Sequence, residues 1–181
     1  MISIIPARLA VTAAMLVAAA GCNKPAPPQM VERDIQMPET SRPWKISNAR
    51  SAAPGDISKD ALVLDRPPND TTTGEELALG SSDWTCWPDD PKTTQNDPVC
   101  MDEGGREWSY ASQARRAPRI ATVGLIYRLQ GSAEDAPHVA VIMPNPQRVF
   151  AGLPTTPQKD KPWVKYAGTP WAYMVIPVAR P

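Results

Sequence analysis

Proline is the residue type that most restricts how this chain folds. The sequence contains 22 prolines among 181 residues, well above the usual share of about 5%. A proline inside a helix removes one backbone hydrogen bond and clashes with the preceding turn. The proline content therefore argues against an all-helical bundle, and the length suits one domain of ordinary size.

The charge of the chain limits its partners. Its 19 Lys and Arg residues balance its 19 Asp and Glu residues, which leaves no net charge when the histidine is neutral. Nucleic acid is held through its phosphates by clustered Lys and Arg. We therefore expect no nucleic-acid partner.

The first residues of the chain have the pattern of an export signal. Arg8 supplies a positive charge, and the apolar stretch Leu9–Ala20 is too short to span a bilayer. The run Ala19-Ala20-Gly21-Cys22 resembles a bacterial lipobox, where a lipoprotein is cleaved before a cysteine that then carries acyl chains such as palmitate. The pattern predicts a signal peptide over residues 1–21 and lipidation of Cys22. The lipobox most often has Leu at the position of Ala19, so simple secretion is the alternative.

A tether is expected to follow the anchor. Residues 22–45 are rich in proline and polar side chains, a composition that buries no core, and a head domain is expected over 46–181. Asn23 follows the cysteine, where the sorting rule of enteric lipoproteins places Asp for inner-membrane retention. We therefore expect a lipid-anchored envelope protein, facing the periplasm from the outer membrane in a Gram-negative host.

Two cysteines remain once Cys22 is assigned to lipid. In an exported protein the expected state of Cys86 and Cys100 is a disulfide. The competing interpretation is a metal-binding or nucleophilic thiol pair, but two cysteines without a nearby histidine fall short of the four ligands of a structural zinc site.

The first part of the head has several strand patterns and one helix signal. A strand is expected over 61–65, and the runs 75–79 and 83–87 suggest a hairpin across 80–82. Asp97 and Pro98 have the pattern of a helix N-cap and first residue, which predicts a helix that ends before Pro118. The pair Gly104-Gly105 weakens that helix.

The later part has clearer strands. The apolar residues at 123, 125, 127 and 129 alternate with Thr, Gly, Ile and Arg at 122, 124, 126 and 128, which predicts a half-buried strand, and a second strand follows over 138–143. A short helix is expected over 146–150, then a hairpin of 163–166 and 171–178, with Pro177 placing the last strand at a sheet edge. The sequence therefore predicts one α+β domain with a mostly antiparallel sheet, one or two short helices and one disulfide.

Four segments of the head together resemble an uncharacterised family of exported bacterial proteins and lipoproteins. The family typically has a continuous helix where this chain has Gly104-Gly105. The resemblance implies a shared fold and the disulfide, but no activity. The segments are Trp84-Thr-Cys86-Trp-Pro-Asp89, Asn96-Asp-Pro-Val-Cys100-Met-Asp102, Val123-Gly-Leu-Ile-Tyr127-Arg-Leu-Gln-Gly131 and Pro137-His138-Val139.

The densest group of acidic residues lies between Asp83 and Glu107. Calcium takes six to eight oxygen ligands, so carboxylates and an amide on a disulfide-closed loop form a possible ligand or calcium site. The preferred interpretation is a solvated acidic loop in which Asp97 caps a helix. The residues of the possible site are Asp89, Asp90, Asn96, Asp97, Asp102 and Glu103.

The single histidine restricts enzymatic interpretations. Any Ser-His-Asp arrangement must use His138, and no Gly-x-Ser-x-Gly elbow is present, so a structural role at a sheet rim is preferred. Aromatic rings bury large areas, and five tryptophans are expected to fill the core, with a groove lined by some of them as the alternative. They are Trp84, Trp87, Trp108, Trp163 and Trp171.

These patterns predict a membrane-tethered envelope lipoprotein without catalytic activity. Its partner is expected to be an envelope protein or a small ligand. The alternative function is a secreted hydrolase that uses His138 with a nearby serine or carboxylate.

Overall fold

The computed structural model describes residues 40–67, 73–132 and 134–178. The predicted signal peptide, Cys22 and residues 22–39 of the predicted tether lie outside these ranges, and residues 42–45, which were expected in the tether, form the start of the first helix. The described residues form four helices and eight strands. The helices are α1 (Arg42–Arg50), α2 (Gly55–Ser58), α3 (Glu103–Gln113) and α4 (Pro146–Val149). The strands are β1 (Leu62–Leu64), β2 (Glu76–Ala78), β3 (Thr85–Trp87), β4 (Val99–Met101), β5 (Gly124–Arg128), β6 (His138–Ile142), β7 (Trp163–Lys165) and β8 (Tyr173–Pro177).

The strands form one sheet in the order β2-β1-β3-β4-β5-β6-β8-β7. All neighbouring strands are antiparallel except β1 and β3, which are parallel. The predicted α+β fold with a mostly antiparallel sheet is therefore confirmed. Prolines are accommodated where no helical hydrogen bond is lost, at the starts of α1 and α4.

The two faces of the sheet carry separate cores, because successive residues of a strand point to opposite sides. On one face Trp108 of α3 packs with Trp87, Met101 and Ile126. On the other face alanines at the end of α1 and just beyond it pack with β1 and with the disulfide. The sheet is thus covered by α3 on one side and by α1 on the other.

The predicted disulfide between Cys86 and Cys100 is present. The two residues lie directly opposite each other in the β3–β4 pair, with Cα atoms 4.0 Å apart. Both are fully buried beneath α1. The covalent link therefore joins two neighbouring central strands.

The predicted hairpin of residues 75–79 and 83–87 is wrong. The two runs do form β2 and β3, but β1 lies between them and pairs with both. The connection crosses the end of β1 instead of turning tightly, and Gly80 lies there against the backbone of Leu62. A side chain at Gly80 would clash at this crossing, so glycine is required for the close approach of the two backbones.

The helix predicted from Asp97 and Pro98 begins further along the chain. Residues 99–101 form β4, which is buried on both faces, and Asp102 is the N-cap of α3. The Asp102 carboxylate accepts hydrogen bonds from Gly105 N (2.8 Å) and Leu125 N (2.9 Å), so it both caps the helix and ties it to β5. The helix ends before Pro118, as predicted.

The two glycines that were expected to weaken α3 allow it to lie against the sheet. A Cβ on Gly104 would be 2.7 Å from the Cα of Gly124 in β5. A Cβ on Gly105 would be 2.5 Å from the carbonyl oxygen of Leu125 and 2.8 Å from Cγ1 of Ile126. The helix is continuous through both, because packing outweighs the ~1 kcal/mol that each glycine loses in helix propensity.

The later strands and the second hairpin agree with the predicted segments, with two differences. The strand predicted over 122–130 is half-buried, but the buried positions of β5 are Gly124 and Ile126, whereas the expected apolar face at 123, 125, 127 and 129 is partly buried or exposed. Pro177 does not mark an edge strand, since β8 lies between β6 and β7. The short strand β7 pairs only with residues 173–175, so Pro177 lies beyond its end.

Both edges of the sheet are covered by other parts of the chain. Arg42 of α1 donates to the carbonyl oxygens of Leu77 (3.0 Å) and Glu76 (2.9 Å) in β2. At the other edge Val164 of β7 donates its N–H to the carbonyl oxygen of Pro154 (2.7 Å). Exposed edges invite pairing with further strands, and these contacts obstruct such pairing.

We predict that Gly105→Ala destabilises the domain although alanine favours helices. The new methyl group would overlap β5, and overpacking of this kind costs about 1–3 kcal/mol. Urea unfolding should therefore show a lower midpoint. Gly55→Ala is the matched control, because a Cβ there meets nothing within 4 Å, and it should leave the midpoint unchanged or raise it slightly. An equal or higher midpoint for Gly105→Ala would contradict the close packing of α3.

Candidate functional site

The segment 88–98, which connects β3 to β4, is organised around the carboxylate of Asp97. Asp97 is only 7% exposed. Its Oδ1 accepts hydrogen bonds from the backbone N–H of Asp90 (3.0 Å) and from the guanidinium of Arg66 (3.3 Å). Its own backbone N–H donates to Oδ1 of Asp89 (2.7 Å). The loop is therefore closed on itself by contacts between its two ends.

Arg66, just after β1, contacts both ends of the 88–98 loop. Its Nε donates to the carbonyl oxygen of Pro88 (2.7 Å), and its Nη2 donates to that of Asp97 (2.7 Å). The guanidinium also lies 5.7 Å from the centre of the Trp87 ring. Burial lowers the pKa of Arg66, as does nearby Arg128, while Asp97 acts in the opposite direction. A buried arginine with this many acceptors stays charged and rigid.

Asn48 connects the loop to α1. Its side-chain oxygen accepts a hydrogen bond from the N–H of Asp89 (2.7 Å), and its amide donates to Oδ1 of Asn96 (2.7 Å). Burial raises the pKa of the Asp89 carboxyl, even though the backbone N–H of Asp97 donates to it. Asn48 therefore links α1 to both the beginning and the end of the 88–98 loop.

The structure separates the residues of the predicted calcium site into two places. One group belongs to the 88–98 loop, while Asp102 and Glu103 lie at the start of α3, where the Asp102 carboxylate is used as a cap. In the described ranges no three His, Cys, Asp or Glu side chains converge as a metal-binding group. The loop group comprises Asp89, Asp90, Asn96 and Asp97.

A groove of about 1120 Å³ lies between α1 and the 88–98 loop. Trp44 in the first turn of α1 lines one part of it, and Gln113 at the end of α3 lines another. Lys45 and Asp65 form an ion pair in its wall, with 2.5 Å between Nζ and Oδ2. Of the predicted site residues, Asp89, Asp90 and Asn96 line this groove.

Sequence reasoning missed the contributions of Trp44, Arg66 and Gln113 to the groove. These residues come from three separate parts of the chain, and no spacing connects them. One signal was present, since Trp44 is the tryptophan that was not assigned to the core. Of the five that were, Trp87, Trp108 and Trp163 are buried, while Trp84 and Trp171 are partly buried.

His138 lies inside the protein at the start of β6 and does not line the groove. It is 1% exposed, and its Nδ1–H donates to the carbonyl oxygen of Ala136 (2.7 Å). Its Nε2 is buried and has no hydrogen-bond partner in the described residues. Burial lowers the pKa of His138, Arg128 and Lys165 lower it further, and the Ala136 carbonyl and Asp135 act in the opposite direction. The imidazole is therefore held neutral, with the proton on Nδ1.

An ion pair covers this region next to His138. Lys165 at the end of β7 donates to the carboxylates of Asp135 (2.5 Å) and Glu134 (2.6 Å). Burial alone lowers the pKa of Lys165, but these two hydrogen bonds raise it above the ordinary value. The Lys165 ammonium is consequently held by the two carboxylates of the loop before β6.

Comparisons with known proteins add no relative. No family model matches the chain, and neither the curated proteins nor the solved structures give a match. None of the four described helices has the length and hydrophobicity of a membrane span.

We predict that Asp97→Ala strongly destabilises the 88–98 loop. The change leaves Arg66 buried without its carboxylate partner, and removing one member of a buried pair costs about 3 kcal/mol or more. Asp97→Asn is the matched control, because its amide oxygen still accepts hydrogen bonds, and its loss should be clearly smaller. Chemical denaturation would measure both, and equal losses for the two variants would contradict a role for the hydrogen bonds that the Asp97 side chain accepts.

We also predict that His138 makes the domain less stable in mild acid. Its pKa in the folded state is lowered from 6.5, so the unfolded chain takes up the proton first. Stability is therefore unaffected by His138 above that pH and falls below it, by up to about 1.4 kcal/mol per unit of pH.

His138→Asn is the variant that isolates this effect, because its amide can still donate to the Ala136 carbonyl but does not titrate. Unfolding free energies at about pH 7 and pH 5 should differ less for the variant than for the wild type. An identical pH dependence in both proteins would show that His138 is not held neutral.

Proposed function

We propose that this chain is a non-catalytic binding protein of the bacterial cell envelope, tethered through lipidated Cys22, with the groove between α1 and the 88–98 loop as its binding site. The observation that carries the proposal is the construction of the groove. Its loop wall is fixed by the buried contacts of Arg66 with Asp97 and Pro88 and by Asn48. Ligand sites are typically preformed concave surfaces with a few fixed polar groups.

The position of His138 argues against the hydrolase alternative. A general base must reach the proton it abstracts within hydrogen-bond distance. The Nε2 atom of His138 is buried, and its Nδ1 is engaged by Ala136. No described serine or carboxylate donates to or accepts from this imidazole, so the described residues offer it neither a nucleophile nor a path to substrate.

The envelope location is supported by two independent features. The buried Cys86–Cys100 disulfide suits an oxidising compartment outside the cytoplasm. The Ala19-Ala20-Gly21-Cys22 run supplies the lipidation pattern. Together they favour an exported head held near a membrane surface.

The binding function is tested by hydrogen–deuterium exchange of the full chain in detergent, with and without a soluble extract of its own cell envelope. Binding in the groove should protect backbone amides of α1 and of the 88–98 loop. Trp44→Ala should lose this protection, whereas Tyr166→Ala, an exposed aromatic residue that does not line the groove, should keep it. No protection, or protection confined to other surfaces, would contradict the proposed site.

The anchor gives a separate prediction. Cys22→Ser should move the protein from the detergent phase to the aqueous phase in detergent-partition experiments, because each acyl methylene buried in the membrane contributes ~0.8 kcal/mol. Asn23→Asp is the control, since it keeps the cysteine and should stay in the detergent phase. Wild-type protein in the aqueous phase, with no added acyl mass, would exclude lipidation.

A further inference from the structure

The charges around the groove are balanced. Three cationic side chains line it, and three carboxylates line it as well. One pair is already matched within the wall, where Lys45 contacts Asp65, and the Arg66 guanidinium is committed to the loop. Lys92 then remains against Asp89 and Asp90, a net charge of only −1, so a polyanion or a polycation would gain little net attraction here. The six charged residues are Lys45, Arg66, Lys92, Asp65, Asp89 and Asp90.

The remaining lining combines one aromatic ring with neutral hydrogen-bonding groups. Trp44 is partly exposed at the groove. Its backbone N–H donates to Oγ of Ser41 (3.3 Å), which holds its backbone in the first turn of α1. Across from α1, the amides of Gln95 and Asn96 belong to the loop, and Gln113 adds a third amide. Amides both donate and accept hydrogen bonds, so this wall matches a ligand with many hydroxyl groups.

These features favour one ligand chemistry. The face of an indole ring is electron-rich, and the C–H groups on one side of a sugar ring carry partial positive charge, so the two surfaces attract each other. The Asp90 carboxylate accepts from the N–H of Lys92 at Oδ1 (3.0 Å), and since a carboxylate has about four acceptor sites, it can also bind sugar hydroxyls through charge-assisted hydrogen bonds. An acyl chain would leave the polar lining groups without partners.

We propose that the groove binds an uncharged glycan segment, with Trp44 stacking on a sugar ring and the side chains of Asp90, Asn96 and Gln113 binding its hydroxyl and amide groups. This inference rests on the proposed binding function and names its ligand class. The ligand class is an oligosaccharide and not the acyl chain of a lipid.

The test is isothermal titration of the full chain, in a detergent without a sugar headgroup, with chitotetraose and cellotetraose as uncharged probes. Tetragalacturonate is the acidic comparison. An uncharged tetrasaccharide should bind, and its affinity should change little between about 50 and 500 mM salt, because no net charge is neutralised. Trp44→Ala should weaken binding by about tenfold or more, while Trp44→Phe should keep most of it. Melting temperatures of both variants should stay close to the wild type.

The outcomes separate this inference from the function on which it rests. If neither uncharged probe gives heat, or if only the acidic probe binds and loses affinity in salt, the glycan assignment is wrong. Protection of the groove by envelope extract would in that case leave the binding function standing. Binding of an uncharged probe that Trp44→Ala does not weaken would place the glycan elsewhere and overturn the proposal.

Discussion

The buried contact between Arg66 and Asp97 is the interaction on which the candidate site depends. It joins the end of β1 to a loop between β3 and β4, across 31 positions of sequence. A charged pair removed from water is tolerated only when its remaining donors and acceptors are satisfied. Here the carbonyls of Pro88 and Asp97 and the N–H of Asp90 supply those partners, so the pair sets the shape of the loop.

The rest of the site is attached to this core of polar contacts. Asn48 connects the loop to α1 by hydrogen bonds to Asp89 and Asn96. The first turn of the same helix contains Trp44, which lines the other side of the groove. The disulfide lies beneath α1 and joins the two strands that begin and end the loop. The candidate site, made from a helix, a loop and a strand end, is thereby held with little freedom, and a preformed surface of this kind loses less entropy on binding than a mobile one.

Asp97 and Asp102 show where sequence reasoning succeeds and where it fails. The sequence predicted Asp97 as a helix N-cap, but the residue that caps α3 is Asp102. The reason lies in contacts with distant residues. The Asp97 carboxylate accepts a hydrogen bond from Arg66, and residues 99–101 pair as a strand with β3, which contains Cys86. In the same way Gly104-Gly105 weakens an isolated helix but is what lets α3 lie directly on Gly124.

The sequence by itself determined the α+β class, the positions of the later strands and the pairing of Cys86 with Cys100. Alternation of side chains and the count of available cysteines are local or combinatorial properties, so they can be read without coordinates. Only the tertiary structure decided that β1 separates β2 from β3, that His138 is buried and that Trp44, Arg66 and Gln113 meet at one groove. These outcomes depend on close approaches between backbones that are distant in sequence, and on which buried polar groups form hydrogen bonds with each other. Neither property produces a periodic pattern in the sequence.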